Sequence, residues 1–192
     1  MFHARFAIAL LGVLATASTV AGPTTYKIDP DHTFPSIEAD HMGMSVWRGK
    51  FNRTTGQVTL DKAAGAGTLS VDIDLGSIDF GQDALNALMA KPEYFDTARQ
   101  PKAAYAGTLA GFVDGRPTRV DGTLTLRGVT RPVTLDIKSF KCMPHPVLKR
   151  DWCGADAYAT LNREDFGIVA GKDWGFSMEV GLRIQVEAVA EH

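Results

Sequence analysis

The segment Phe176–Ala188, FSMEVGLRIQVEA, decides the fold class of this chain. Apolar and polar residues alternate along it, so that one face collects Phe, Met, Val, Leu and Ile while the other collects Ser, Glu, Arg and Gln. Because successive side chains of a β-strand point to opposite faces, this period of two predicts a long strand with one buried face. We therefore expect a protein built mainly of β-strands.

The same alternation recurs along the rest of the chain. Together with 176–188 it predicts about eight or nine strands, clear at 68–75, 120–127 and 130–138 and weaker at 25–29, 35–41, 46–52, 57–60, 102–112 and 154–162. Turn-forming residues such as Thr55-Gly56 and Arg127-Gly128 separate these segments. Asp83–Ala90 breaks the alternation with good helix formers ahead of Pro92, and we predict it to be the one clear helix.

Strands with one apolar face leave two architectures, a sandwich or a closed barrel. Hairpin-length connections favour an up-and-down order, and closure removes the exposed edges of long strands. The sequence thus predicts an all-β fold, an extended antiparallel up-and-down β-barrel of about eight strands with one inserted α-helix. A barrel of that size is either filled by its own side chains or holds a ligand along its axis. Since the inward residues are almost all apolar, any ligand inside must be apolar.

Composition narrows the function classes. The 192 residues fit one domain, 45% of them are hydrophobic, and the formal net charge is −2. No block of like charges occurs, which argues against a nucleic-acid partner or a polybasic membrane patch. No later apolar segment approaches the length of a membrane span, so we expect no stable membrane insertion.

The start of the chain indicates export. Arg5 precedes an apolar run from Phe6 to Ala17, and small residues then offer a cleavage site after Ala21. This run is shorter than the roughly 20 apolar residues that span a bilayer. We predict a cleaved signal peptide, residues 1–21, and a mature domain, residues 22–192.

The two cysteines agree with export. In an oxidising compartment Cys142 and Cys153 are expected to form a disulfide bond in a connection between strands. A metal or redox pair is the alternative, but their separation does not fit the CxxC spacing.

No catalytic motif is present in the sequence. It contains no GxSxG elbow, no HExxH pair and no phosphate-binding Gly-rich loop, so we expect neither an enzyme nor a cofactor nor a metal site. His32, His41 and His145 lie in different elements, and each is predicted to be satisfied locally, metal binding through His32 and His41 being the alternative.

Two polar positions could face a ligand. His41 shares strand parity with Ile37, so it could donate a hydrogen bond to a head group or bond a backbone carbonyl. Arg163 and Asp165 could form a local ion pair or contact a head group, and we favour a structural role for them.

Several motifs then follow one another from about residue 26 to 189, and together they resemble the YceI-like family of secreted lipid-binding proteins. The most specific is the stretch 122–135, GTLTLRGVTRPVTL, which is similar to the family pattern G-x-LT-x-x-GVT-x-PV-x-L. The others are Tyr26-Lys-Ile-Asp29, Asp31-His32-Thr33, His41 followed by Gly49-Lys50-Phe51, Pro92-Glu93-Tyr94-Phe95-Asp96, and Asn162-Arg163-Glu164-Asp165-Phe166-Gly167.

This resemblance implies a lipocalin-like barrel with a hydrophobic tunnel that binds, stores or transports a polyisoprenoid or isoprenoid quinone in the bacterial periplasm. A binder of fatty acids or fatty amides in envelope stress, a packed barrel without ligand and a lipid esterase are the alternatives. The oligomeric state, monomer or homodimer, stays open.

Relatives often carry an acidic residue and a histidine where Asn86 and Leu88 stand, which would favour a different lipid here. The expected tunnel wall comprises Ile37, His41, Trp47, Phe51, Leu69, Val71, Ile73, Phe95, Leu124, Leu135, Met178, Val180, Leu182 and Ile184.

Overall fold

A computed structural model describes residues 22–191, so the predicted signal peptide lies outside the described residues. The strands are β1 Thr24–Ile28, β2 Phe34–His41, β3 Ser45–Phe51, β4 Thr54–Asp61, β5 Ala66–Asp74, β6 Ile78–Asp79, β7 Lys102–Ala110, β8 Arg119–Leu126, β9 Val129–Pro144, β10 Asp151–Asn162 and β11 Glu179–Ala190. The helix α1 spans Asp83–Met89, and short 3₁₀ helices span Leu75–Ser77, Arg163–Phe166 and Lys172–Trp174.

Eight of the strands form a closed antiparallel barrel, which confirms the predicted fold class. The ring runs β1-β4-β5-β7-β8-β9-β10-β11 and closes because β1 also pairs with β11. The remaining strands extend from β11 in the order β2-β3-β6. The up-and-down order holds in the ring from β4 to β11, with the short β6 set aside, whereas β1 pairs with β4 and β11 and β2 pairs with β11 and β3.

The strand β11 closes the barrel with its two halves. One edge pairs with β10 along its whole length, while the other edge pairs first with β2, as in Val180↔Ala39, and then with β1, as in Tyr26↔Ala190. The prediction that this strand begins at Phe176 is wrong. Gly171 and Gly175 have positive φ angles, and the turns they form delay the strand until Glu179.

A bulge in β9 changes which side chains face inward. The register between β9 and β10 shifts at Asp156 and Ala157, so that one extra residue of β9 lies between Ile137 and Ser139. After this shift Phe140 takes the inward face. The strand therefore continues to Pro144, six residues beyond the predicted end at Lys138.

The disulfide bond joins two paired strands directly. Cys142 and Cys153 are opposite each other in the register of β9 and β10, with their Cα atoms 4.0 Å apart. The predicted bond is thus present, but its predicted place in a connection between strands is wrong, because both strands extend past the cysteines toward a short turn.

Replacing both cysteines by alanine is expected to lower the free energy of unfolding by roughly 3 kcal/mol, the value of the chain-entropy model for a loop of this length. Chemical denaturation of the wild type and of Cys142→Ala/Cys153→Ala measures the difference. The cavity described below should survive, because backbone hydrogen bonds keep β9 and β10 paired. Equal stability of the two proteins would contradict this expectation.

The barrel has two distinct ends. At the end that we call the closed end lie the turns 62–65, 111–118 and 145–150. At the other, the open end, lie α1, the β2–β3 turn and the segment 163–178. Between residues 22 and 191, no helix has the length and apolar character needed to cross a membrane.

Candidate functional site

A cavity of about 440 Å³ occupies the barrel interior. Its volume lies within the range of roughly 300–1,000 Å³ that is usual for small-molecule sites. Nearly all of its lining is contributed by aliphatic and aromatic side chains of the barrel strands, with α1 and the segment 163–178 covering the open end. Such a surface can enclose an apolar ligand and offers few polar groups to orient it.

Twelve of the fourteen residues predicted for the tunnel wall line this cavity. They are Ile37, Trp47, Phe51, Leu69, Val71, Ile73, Phe95, Leu124, Leu135, Val180, Leu182 and Ile184. The exceptions are His41 and Met178, which are not among the lining residues. Met178 precedes the true start of β11 at Glu179, so the strand alternation used to place it does not apply. Whether the twelve contact a lipid stays a prediction.

The interior is not filled by its own side chains. Leu69, Val71 and Ile73 point inward from β5 and yet are only half-buried, because the space in front of them is empty. Across the barrel, Ala155 and Ala157 of β10 line the same cavity with single methyl groups. Sequence analysis missed these alanines, although their alternation along the inner face of one strand was a signal for an interior with spare room.

Buried side chains seal the closed end. Tyr26, Leu60 and Leu109 line the cavity there and are almost completely buried. The Tyr26 hydroxyl donates a hydrogen bond to Asp151, 2.7 Å away, which also receives the ammonium group of Lys62. Burial, together with the carboxylate, raises the pKa of Tyr26 above its ordinary value. The Tyr26 hydroxyl therefore stays protonated and hydrogen-bonded to Asp151, and the aromatic ring lines the cavity.

The cavity reaches the surface at the open end. Trp174 contributes to its lining and is 74% exposed, which places the mouth beside this residue. Nearby, the His41 ring stacks on Trp47 with centroids 4.2 Å apart and meets the edge of Phe176 at 5.2 Å. This aromatic cluster joins the β2–β3 turn to the segment 163–178. Among the described residues the side chain of His41 makes no hydrogen bond, so its predicted carbonyl partner is not present.

Arg163 holds the segment that covers the open end. Its guanidinium donates hydrogen bonds to three backbone carbonyls, those of Ser177 at 3.1 Å, Ile168 at 3.3 Å and Ala170 at 2.8 Å. The ion pair with Asp165, one of the alternatives that the sequence left open, is not formed, because the guanidinium donates to carbonyls while Asp165 is exposed. Partial burial of the guanidinium lowers the pKa of Arg163. The three hydrogen bonds to carbonyls agree with the structural role that the sequence favoured.

The comparison with known proteins identifies the family. The YceI-like domain matches residues 26–188. The UPF0312 protein of Pseudomonas putida strain W619 is 31% identical over 198 residues and covers 100% of both chains. The UPF0312 protein of Enterobacter sp. strain 638 is 32% identical and covers 94% of each chain. This chain belongs to the YceI-like family.

Solved structures share the fold of this YceI-like protein. BcnA of Burkholderia cenocepacia superposes with a TM-score of 0.67 at 22% identity, covering 84% of this chain and 99% of that one. A polyisoprenoid binding domain from Saccharophagus degradans, implicated in plant cell wall breakdown, gives a TM-score of 0.61 at 19% identity and covers 87% and 99%.

The YceI motif at 122–135 forms the β8–β9 hairpin. Leu124 and Leu135 face the cavity from its two strands, and Arg127-Gly128 forms the turn with positive φ at both residues. A Cβ atom on Gly122 would lie 2.4 Å from the Tyr105 hydroxyl. The glycine thereby lets Tyr105 of β7 reach across β8 to the carbonyl of Val133 at 2.8 Å. The Tyr105 hydroxyl in the cavity wall is thus bonded to the backbone. Burial raises the pKa of Tyr105 above its ordinary value.

The structure separates the roles of Asn86 and Leu88, the two helix positions at which the family resemblance suggested an acidic residue and a histidine. Leu88 lines the cavity with Met89. Asn86 instead binds neighbouring structure, since its carboxamide oxygen accepts from the Phe80 N–H at 2.8 Å and its nitrogen donates to Asp79. Of these two residues, Leu88 contributes to the cavity wall, and it adds apolar surface.

Two groups of side chains between residues 22 and 191 have the composition of metal ligands. In one of them the thiols of Cys142 and Cys153 are consumed by the disulfide bond. The other comprises Asp29, His32 and Glu187, in which His32 Nδ1 lies 2.8 Å from an Asp29 carboxylate oxygen. This hydrogen bond raises the pKa of the His32 imidazole and satisfies it locally, as predicted.

Proposed function

We propose that this YceI-like protein binds a long apolar lipid of the polyisoprenoid or isoprenoid-quinone type, without catalysis, and stores or transports it. The observation that carries the proposal is the cavity of about 440 Å³ in the barrel interior with an almost wholly apolar lining. The polyisoprenoid binding domain of Saccharophagus degradans, which shares the fold, supports the choice of ligand.

Burial of hydrocarbon is sufficient for tight binding. Each CH₂ group removed from water contributes roughly 0.8 kcal/mol, so enclosing four isoprene units contributes on the order of 10 kcal/mol before entropic costs. No ionic contact is needed. A site that works in this way selects its ligand by chain length and shape more than by head-group chemistry.

The distribution of polar groups orients the ligand. Asp40, Arg163 and Ser177 line the cavity at the open end, whereas the tyrosine hydroxyl at the closed end is bonded to Asp151. A polar head group is more stable where it can contact water and polar side chains, because burying an unpaired polar group is costly. We therefore place the head group at the mouth beside Trp174 and the tail toward the closed end.

We also propose that the protein works in the periplasm. The apolar run after Arg5 and the small residues before Gly22 support secretion. The cross-strand disulfide bond supports an oxidising compartment, since cytosolic thiols are kept reduced. There a lipid with a long hydrocarbon tail needs a carrier in order to cross an aqueous space.

Native mass spectrometry of the protein purified from its own host tests the proposed function. We expect a fraction of the molecules to carry the mass of an isoprenoid lipid. The mass of a fatty acid or fatty amide would replace the proposed ligand by the second candidate class. Protein that carries no lipid, and that long-chain isoprenoids do not stabilise against thermal unfolding, would overturn lipid binding altogether.

A further inference from the structure

We infer that the rim of the cavity mouth is a membrane-docking surface through which the protein takes up and delivers its lipid. The rim consists of Met42 and Met44 in the β2–β3 turn and Val169 and Trp174 in the segment 163–178. This inference rests on the proposed function, because it assigns the surface that serves the lipid cavity. Its occupant is the surface of a lipid bilayer.

All four rim side chains are apolar and exposed. The exposed fraction is 72% for Met44, 74% for Trp174 and 50% for Val169, and Met42 is exposed as well. Contact of the His41 ring with Trp47 and Phe176 joins the two segments that carry them. Exposed apolar groups that are contiguous on a soluble domain mark an interaction site more often than scattered ones do.

The rim is continuous with the cavity. Trp174 is a rim residue and also a lining residue, so an apolar surface runs from outside the barrel into its interior. A hydrocarbon tail that left a bilayer along this path would not be exposed to water. Because long hydrocarbon chains are nearly insoluble in water, a carrier that met them only in solution would load at a negligible rate.

The turn that carries two rim residues is held in an uncommon conformation. Met42 has a φ of 58°, which is unfavourable for a residue with a side chain, and Gly43 follows at 73°. The Asp40 carboxylate accepts a hydrogen bond from the Gly43 N–H at 3.0 Å and fixes this turn. This conformation presents methionine at the tip of a hairpin.

The charges beside the rim indicate which membrane property it recognises. Arg48 donates a hydrogen bond to Glu38 at 2.9 Å, and Lys172 is paired with Glu164. These cations are therefore already neutralised by carboxylates of the protein. Docking should depend on the apolar groups and on tryptophan, which favours the membrane–water interface, rather than on anionic lipid. We expect phosphatidylcholine vesicles to suffice and added salt to have little effect.

Flotation and lipid transfer with the mature protein test the rim. The probe is a dansyl-labelled polyprenol carried in phosphatidylcholine vesicles, and the test variant is Met44→Glu/Val169→Glu, because neither residue lines the cavity. The wild type should float with vesicles that lack the probe, and its loading rate should rise with vesicle concentration. Two charges in the rim should reduce both the floated fraction and the loading rate by about tenfold, because charged groups are costly at the acyl boundary.

Val147→Glu/Leu148→Glu is the matched control, because it also introduces two charges at exposed apolar residues. Val147 and Leu148 are large apolar residues in a turn, 78% and 47% exposed, but they lie at the closed end. This variant should float and load as the wild type does. Floating and loading of Met44→Glu/Val169→Glu at the wild-type level would overturn the inference, as would a loading rate that is independent of vesicle concentration. That last result would indicate uptake through the aqueous phase.

Delivery of the probe from dilute detergent separates this inference from the proposed function. Both variants should then reach the same final occupancy as the wild type, because their cavities are unchanged. If the wild type floats but never binds the probe, the proposed function fails while the docking surface stands. If it binds the probe from detergent but neither floats nor loads from vesicles, the docking surface fails while lipid binding stands.

Discussion

Val71→Trp is expected to fold normally and to lose most of its affinity for lipid. Val71 points into the middle of the cavity from β5 and is half-buried because empty space lies in front of it. An indole at this position would fill part of the 440 Å³ that a hydrocarbon tail needs. We expect the dissociation constant for a polyprenol to rise by about 100-fold or more, which corresponds to roughly 3 kcal/mol.

Thermal unfolding with and without polyprenol measures this loss. The unfolding temperature of the wild type should rise as the lipid concentration is increased, whereas Val71→Trp should unfold at the same temperature with or without lipid. Ser70→Trp is the matched control, because Ser70 precedes Val71 on the same strand but faces outward and is exposed. If lipid stabilised Val71→Trp as much as it stabilises the wild type, the result would contradict a ligand site in the barrel interior. Should Val71→Trp unfold, Ile184→Trp on the opposite side of the cavity repeats the test.

Arg163→Leu is expected to have the second large effect, a loss of roughly 2–4 kcal/mol of unfolding free energy. The guanidinium donates to the carbonyls of Ser177, Ile168 and Ala170, and these three bonds hold the segment 163–178 over the open end. Leucine would leave the carbonyls without their donor. Arg163→Lys should recover only part of the loss, because an ammonium group lacks the planar fork that reaches three acceptors.

Chemical denaturation gives the loss of stability, and hydrogen exchange shows where it acts. Amide protons between residues 164 and 178 should exchange faster in Arg163→Leu, while those of β7 and β8 should change little. Arg131→Leu serves as the control, since Arg131 is exposed and, between residues 22 and 191, bonds only the carbonyl of its neighbour Thr130. If Arg163→Leu and Arg131→Leu were equally stable, the three hydrogen bonds would not be holding the segment.

The alternation of apolar and polar residues along the chain was the basis of most of the correct predictions. It located the barrel strands and the inward face of most of them, and twelve of fourteen predicted wall residues line the cavity. The misplaced end of β9 and the misplaced start of β11 share one cause. Period-two counting assumes an unbroken strand, and it fails where a bulge shifts β9 near Lys138 and where glycines at positive φ delay β11 to Glu179.

Arg163 shows a different limit. From the sequence, the nearby Asp165 was one candidate partner, but the side chain instead bonds carbonyls that lie 5, 7 and 14 residues further along the chain. Backbone carbonyls are present at every residue and leave no trace in the sequence. Such a contact becomes predictable only when the path of the segment 163–178 is known.

The sequence by itself determined the class of this protein: strands with one apolar face, a family motif at 122–135, and an interior that excludes polar ligands. Those features are local, since side-chain alternation and turn residues act within a few positions. Only the tertiary structure decided that the interior has spare volume and that its mouth lies beside Trp174. Whether a barrel is filled depends on side chains that face one another across it, such as Val71 and Ala157, and these belong to strands far apart in the chain.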